Sequence, residues 1–170
     1  MVFSILCQQN GGCMGCCGHD FISKEKIKEA IRKNTLEKNH HNPKTKEEFV
    51  AFRARSHSQH LRAGVCRNLV EEKGCVLCPL HPTKHEEDLR IGHCDVNYLC
   101  KTAKEFETWD ETTQMAFLYF IQNKELDNLD YSLKMDNHSL LQEFKEIQNE
   151  PIICDSIEQR RSSEDIKTST

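Results

Sequence analysis

The sequence predicts a mainly α fold, a small helical domain with cysteine-rich loops and little or no sheet. Apolar residues recur at spacings of three and four in several segments, which is the period of an amphipathic helix. No segment shows a convincing apolar and polar alternation over the length of a strand. The 170 residues include ten cysteines, most of them in two segments, 7–20 and 74–100, that we predict to be loops.

Residues 1–150 are predicted to form a single domain that contains both cysteine-rich loops. Residues 151–170 lack an apolar period and predict a disordered, acidic and polar tail. No run of about 18 apolar residues is present, so we expect no membrane span. The apolar start, Met1 to Leu6, is shorter than the apolar region of a signal peptide, which needs about seven residues or more. These features favour a cytoplasmic protein that does not associate with a membrane.

The first predicted helix begins at Ser23, whose side chain can cap it, and runs to about Glu37. The apolar residues Ile27 and Ile31 have helical spacing, and the opposite face is rich in Lys and Glu. The segment 39–43, which holds two histidines and a proline, is expected to end the helix.

A capping box of Thr45 and Glu48 predicts the start of a second helix, which becomes basic and rich in histidine over residues 53–67. Apolar residues continue at a spacing of four from position 61 to position 69. We therefore predict that helix continues until Gly74 stops it.

Three further helices are predicted after the second cysteine-rich loop. One begins at Asp95 or Asn97. The next is capped by Asp110 and is so apolar that we expect it to be the best-buried element. The last has an apolar period over residues 140–147 and ends at Pro151.

The strongest chemical signal is the cysteine pattern of the second loop. Two residues separate Cys75 from Cys78, fifteen separate Cys78 from Cys94, and five separate Cys94 from Cys100. A Cys-x-x-Cys turn directs two sulfur atoms to one point, and a second pair about fifteen residues later can complete a tetrahedron around zinc. We therefore predict that Cys75 and Cys78 share a metal ion. The later pair is expected to bind the same ion or another one.

A second candidate set lies near the N-terminus, where glycines are interleaved with Cys13, Cys16 and Cys17. Adjacent cysteines splay apart, so Cys16 and Cys17 either serve two different ions, or one binds an ion while the other packs. The candidates for a fourth ligand are Cys66, His19 and Cys7.

Thiolates are soft ligands that suit Zn²⁺ or, as the alternative, an iron–sulfur cluster. In a reducing compartment disulfides are disfavoured, which leaves metal or redox chemistry as the explanation for so many cysteines. The predicted metal ligands are Cys13, Cys16, Cys17, Cys66, Cys75, Cys78, Cys94 and Cys100, with His19, His81 and His93 as substitutes.

The Cys-x-x-Cys-Cys run at 13–17, with later cysteines that bring the set to eight, resembles the bacterial zinc- or iron-chelating cysteine-cluster proteins, the YkgJ-like family. The resemblance covers the cysteine positions between Cys13 and Cys100. It implies a small metal-binding protein of unsettled activity.

We thus expect a protein that holds one or two zinc ions and acts in metal handling, regulation or protein interaction, with the ion and a protein as partners. One alternative is a redox or metal-dependent enzyme that uses the cysteine cluster. The other is nucleic-acid binding through the basic helix at 53–67, because residues 21–67 hold 12 Lys and Arg against 5 Asp and Glu. Residues 103–170 show the reverse, 7 against 15, so the basic segment could instead pair with the acidic half.

Overall fold

The computed structural model describes residues 4–58 and 60–149, and the predicted tail at 151–170 lies outside them. The mainly α fold is confirmed. The described helices are α1 Lys24–His41, α2 Lys46–Ala54, α3 Lys101–Phe106, α4 Glu111–Asn123, α5 Asn128–Asp136 and α6 Ser139–Asn149. Short 3₁₀ helices lie at Ile5–Gly11 and Pro82–Lys84, and the strands are β1 Val70–Glu72 and β2 Cys75–Leu77. Within the described ranges, none of the helices has the length and apolar character that crossing a membrane requires.

The first two helices begin where their caps predict. The Ser23 side chain accepts a hydrogen bond from the backbone N–H of Lys26 at the start of α1. The predicted capping box of Thr45 and Glu48 is formed at the start of α2. Helix α1 continues past its predicted end to His41, where Asn42 adopts the left-handed conformation that stops it.

The prediction that helix continues from residue 61 to Gly74 is wrong. Helix α2 ends at Ala54, so the basic segment 53–67 is not a helix. The backbone turns through positive φ at Ala63 and Gly64, and Arg62 pairs with Val65 in a tight bridge. The segment then enters a two-stranded antiparallel hairpin in which Val70 pairs with Leu77. The apolar residues at a spacing of four point into the core, but they belong to a loop rather than to a helix.

The C-terminal half is helical, as predicted, with different boundaries. Helix α3 begins only at Lys101, with Cys100 as its N-cap. Asp110 caps α4 as predicted, accepting a hydrogen bond from the backbone N–H of Thr113. Helix α5 was not anticipated, and Asp127 caps it in the same way. Helix α4 is buried on one face only. Tyr119, on its other side, remains 68% exposed.

The buried side chains form two clusters. The first joins helices α3 to α6 through Phe106, Phe117, Tyr131 and Phe144, and Leu6 reaches it from the N-terminal segment. The second lies under α1, where Ile27, Ile31, Met14, Val65 and Leu69 pack with Leu129 of α5. Cys13 and Cys100 pack against the first cluster, and Cys17 packs against the second. The N-terminal cysteine loop therefore bridges the two halves of the core.

Candidate functional site: two groups of thiols

Helix α5 positions the N-terminal cysteine loop through buried polar contacts. The backbone N–H of Met14 donates to the Ser132 hydroxyl at 3.0 Å, and this hydroxyl donates to the Asn128 carbonyl at 2.8 Å. Both Met14 and Ser132 are fully buried. The Asn128 amide also donates to the Gly12 carbonyl. The residues on either side of Cys13 are thus fixed to one face of α5.

Replacement of Ser132 by alanine should lower the free energy of unfolding by about 1–3 kcal/mol, because the buried Met14 N–H loses its acceptor. Urea unfolding at neutral pH measures this change. The control is Ser139→Ala, because the Ser139 hydroxyl is buried and has no hydrogen-bond partner within the described residues. Equal losses in both variants would show that the Met14 contact is not what Ser132 contributes.

The same loop pairs with the segment that carries Cys66. The Cys66 N–H donates to the Cys17 carbonyl at 2.8 Å, and the His19 N–H donates to the Gly64 carbonyl at 3.0 Å. Gly18 and Val65 form an antiparallel bridge between these contacts. This pairing brings Cys17 and Cys66, which are far apart in sequence, into adjacent backbone positions.

Four thiols line a small cavity of about 20 Å³, together with Tyr98, Leu99, Met135 and Asp136. We call Cys7, Cys13, Cys16 and Cys100 the small-cavity thiols. Burial raises the pKa of Cys7 to about 11 and that of Cys13 to about 12, and the neighbouring thiols of the group add to both shifts. The pKa of Cys100 is raised by burial and by Cys16 as well. The volume suits a single ion or water rather than an organic ligand.

Five other thiols lie in the wall of a larger cavity of about 560 Å³, and four of them interact with one another, the exception being Cys75. We call Cys17, Cys66, Cys78 and Cys94 the large-cavity thiols. Burial raises the pKa of Cys78 to about 12, and repulsion from Cys66 and Cys94 contributes. The pKa of Cys94 is raised to about 11 by burial and by Cys66. Since the wall of this cavity also includes Cys7, Cys13 and Cys16, the two groups are neighbours in one region.

The adjacent residues Cys16 and Cys17 belong to different groups. Cys16 lines the small cavity with Cys7, Cys13 and Cys100, whereas Cys17 does not. Cys16 also interacts electrostatically with Cys66 and Cys94, and Cys17 with Cys66 and Cys78. The neighbouring thiol of Cys17 lowers the pKa of Cys16 to about 7, and the Cys16 thiol, together with burial, raises the pKa of Cys17. The dipeptide is thus the covalent link between the two thiol groups.

The structure does not bring Cys75 into either group of interacting thiols. Cys75 lies at the exposed start of β2, in the wall of the larger cavity, and the thiols that interact with Cys78 are Cys17, Cys66 and Cys94. A common ion for Cys75 and Cys78 stays a prediction.

The three candidate histidines all line the larger cavity. His19 is exposed, and its Nδ1 lies 2.9 Å from a carboxylate oxygen of Asp20. The Nδ1 of His81 contacts the Thr83 hydroxyl at 2.9 Å, and the Nε2 of His93 contacts the Asn68 amide at 3.0 Å. Burial lowers the pKa of His81 and of His93, which keeps both rings neutral near pH 7. Neutral imidazole is the form that binds metals.

Among the described residues, no three His, Cys, Asp or Glu side chains are arranged so that they would hold an ion as they stand. The nine cysteines in this range are free thiols. Their donor set is composed of sulfur, which suits zinc or an iron–sulfur cluster. Coordination would require the sulfur atoms of a group to move towards one another and to lose their protons.

A polar network behind Cys66 holds its segment against α1. The Asn34 amide donates to the carbonyls of Cys66 and Leu69, both at 3.0 Å, and its oxygen accepts from Arg62 at 2.9 Å. Glu37, one turn further along α1, accepts hydrogen bonds from three arginines. These are Arg55 at 3.1 Å, Arg62 at 2.5 Å and Arg67 at 2.9 Å.

The arginines of the basic segment 53–67 make their contacts within the protein. Arg55 makes further hydrogen bonds to the Asn68 side chain at 2.6 Å and to the Arg67 carbonyl at 2.5 Å. Arg53 donates to the carbonyls of Leu89 and Ile91, at 2.7 and 2.8 Å. These arginines therefore bind groups of the fold itself: Arg55, Arg62 and Arg67 pair with Glu37 of α1 rather than with the acidic C-terminal half, and Arg53 binds backbone carbonyls.

Two residues of this region were absent from the predicted ligand set. Cys7 is predicted only as a candidate fourth ligand, and five residues, two of them glycines, separate it from Cys13. Its position on the 3₁₀ helix Ile5–Gly11 could not be read from a helical period. Arg90 carries no metal-ligand signal at all, since a cation that acts on thiols from a neighbouring turn has no characteristic spacing.

Comparisons of the chain with protein-family models, with curated proteins and with solved structures found no match.

Proposed function

We propose that the protein is a cytoplasmic metal-binding protein that holds two zinc ions, one in each thiol group. The small-cavity thiols would bind one ion and the large-cavity thiols the other, so that each ion has four sulfur ligands. In this arrangement the adjacent residues Cys16 and Cys17 bind two different ions, which is one of the two alternatives that the sequence left open. It uses Cys7 in place of Cys75, and it agrees with the resemblance to the zinc- or iron-chelating cysteine-cluster proteins.

One observation carries the proposal: Cys16 lines the small cavity together with Cys7, Cys13 and Cys100, and its neighbour Cys17 does not. Adjacent residues can rarely direct their side chains to one tetrahedral ion. They can each bind a different ion, so that the peptide bond between the two residues joins the two metal sites. A sequence that buries thiols against both halves of the core gains stability from metal binding, because the ions hold together loops that contain little regular structure.

The proposed role is metal handling, regulation or protein interaction. All eight proposed ligands are protein thiols, which is the donor set of a structural rather than a catalytic zinc site. An iron–sulfur cluster, with an electron-transfer role, is the alternative that the same donor set allows.

Elemental analysis of protein purified under reducing conditions, with an absorption spectrum, tests the proposal. We expect two zinc ions per chain and no visible absorption band. Protein that contains neither zinc nor iron would contradict metal binding. Stoichiometric iron with a visible band would replace zinc with the cluster alternative.

Single serine variants test the division of ligands. We expect Cys13→Ser and Cys78→Ser each to lose one ion, and the double variant to lose both. Cys75→Ser is the matched control and should retain two ions, because Cys75 belongs to neither group. Loss of an ion from Cys75→Ser, with both ions kept in Cys13→Ser, would refute this assignment. Circular dichroism of each variant establishes that the helices remain formed.

A further inference from the structure

Arg90 lies in the wall of the larger cavity and is held by a buried carboxylate. Its Nε donates to one carboxylate oxygen of Asp88 and its Nη2 to the other, both at 2.8 Å. The Arg90 backbone N–H also donates to Asp88, at 3.0 Å. The Asp88 side chain is fully buried, and that of Arg90 is only 17% exposed. This two-point contact fixes the plane of the guanidinium group.

The turn that carries Arg90 is also the turn that presents Cys94. The Arg90 carbonyl accepts from the backbone N–H of His93 at 2.9 Å and from that of Cys94 at 3.2 Å. Arg53 of α2 holds the turn from outside, through the carbonyls of Leu89 and Ile91. Arg53 and Arg90 therefore fix the same turn, but only Arg90 faces the thiols across the cavity.

Arg90 lines the larger cavity together with all four large-cavity thiols and with three of the small-cavity thiols, Cys7, Cys13 and Cys16. It lowers the pKa of Cys7 and Cys16 among the small-cavity thiols, and that of Cys78 and Cys94 among the large-cavity thiols, against the larger effects of burial at most of these positions. Arg55 acts on Cys66, whereas the carboxylates of Asp136 and Asp88 raise the pKa of Cys16 and Cys94 respectively.

Four thiolates around a divalent ion carry a net charge of −2, and two such sites side by side repel each other. A fixed cation in the wall of the cavity that thiols of both groups line offsets part of this repulsion, and its effect is large where water is excluded. We infer that Arg90, oriented by Asp88, is a positioning residue shared by both metal sites, which balances the negative charge of the two zinc–thiolate centres. The inference rests on the proposed function.

Chelator competition at fixed pH tests this role in full-length protein loaded with zinc. We expect Arg90→Met to release both ions at about tenfold lower chelator concentration, the effect typical of residues that support metal ligands from outside the coordination shell. The stoichiometry at saturating zinc should remain that of the wild type. Arg90→Lys keeps the charge and should retain most of the affinity.

Arg53→Met is the matched control, because it loosens the same turn without removing the cation that faces the thiols. Wild-type affinity in this control supports the charge-balancing role. A loss as large as that of Arg90→Met would overturn it in favour of a structural effect, and so would unchanged affinity in Arg90→Met. A wild-type protein that binds no zinc would instead remove the proposed function itself, so the two failures can be told apart.

Discussion

Replacement of Gly18 by alanine is expected to destabilise the protein by roughly 3 kcal/mol and to abolish ion binding by the large-cavity thiols. A Cβ atom at this position would lie 2.1 Å from the Gly64 carbonyl oxygen and 2.8 Å from the ring of Phe21. The first contact is with backbone, which cannot rotate away. The segments that pair through Gly18 and Val65 would therefore separate, and Cys17 would move away from Cys66.

Gly74→Ala provides the control for this variant. Gly74 has a φ of +79° in the hairpin turn, and a Cβ atom there would meet nothing within 4 Å. Its cost is backbone strain alone, about 1–2 kcal/mol, with the thiol groups undisturbed. Urea unfolding and zinc stoichiometry measure both variants. Retention of two ions by Gly18→Ala would show that the bridge between the loops does not position Cys17.

The helices that could be predicted are those with local start signals. Ser23, Thr45 with Glu48, and Asp110 cap their helices through contacts that span only three residues, so the sequence alone reveals them. The segment 61–74 was mistaken for helix because its apolar residues have helical spacing. The interactions that decide its conformation, with Cys17 and with Asn34, come from distant parts of the chain.

The candidate site was predictable as a set of residues but not as an arrangement. Cysteine spacing indicated thiol chemistry in both loops, and the adjacent pair Cys16 and Cys17 left open two ions or one. Spacing cannot reveal that Cys75 lies at the exposed start of a strand, or that Cys7 approaches from a 3₁₀ helix. Those facts depend on how the hairpin and the N-terminal segment pack against α1 and α5, which is a tertiary property.

Glu37→Gln tests the polar network that supports the Cys66 segment. Burial of Glu37 disfavours its charge, but hydrogen bonds from Arg62 and Arg67 outweigh this and lower its pKa from 4.5 to about 2. A carboxylate with a lowered pKa stabilises the folded state wherever it is ionised. At neutral pH the variant should therefore be less stable by about 1–3 kcal/mol, a range that allows for the partial exposure of the network.

The sign of the effect fixes its pH dependence. The contribution of Glu37 is fully present above its ordinary pKa of 4.5 and is lost as the pH falls through that value towards about 2. The stability difference between wild type and Glu37→Gln should therefore shrink over this interval. Protons also compete with metal ions for the thiolates at low pH, but this effect is the same in both proteins and cancels in the difference. Urea unfolding of the two proteins at several pH values measures the difference.

Glu29→Gln is the control on the same helix. Glu29 pairs with Lys33 at 2.7 Å and with Lys26 at 3.4 Å, but its side chain is 40% exposed and holds no other segment. Surface pairs of this kind contribute little, so this variant should unfold close to the wild type at every pH. Parallel pH profiles for wild type and Glu37→Gln would mean that the three arginines do not depend on the charge of Glu37. If the profiles converge as expected, the charge of Glu37 holds Arg55, Arg62 and Arg67 against α1, and these ion pairs serve to keep Cys66 beside Cys17.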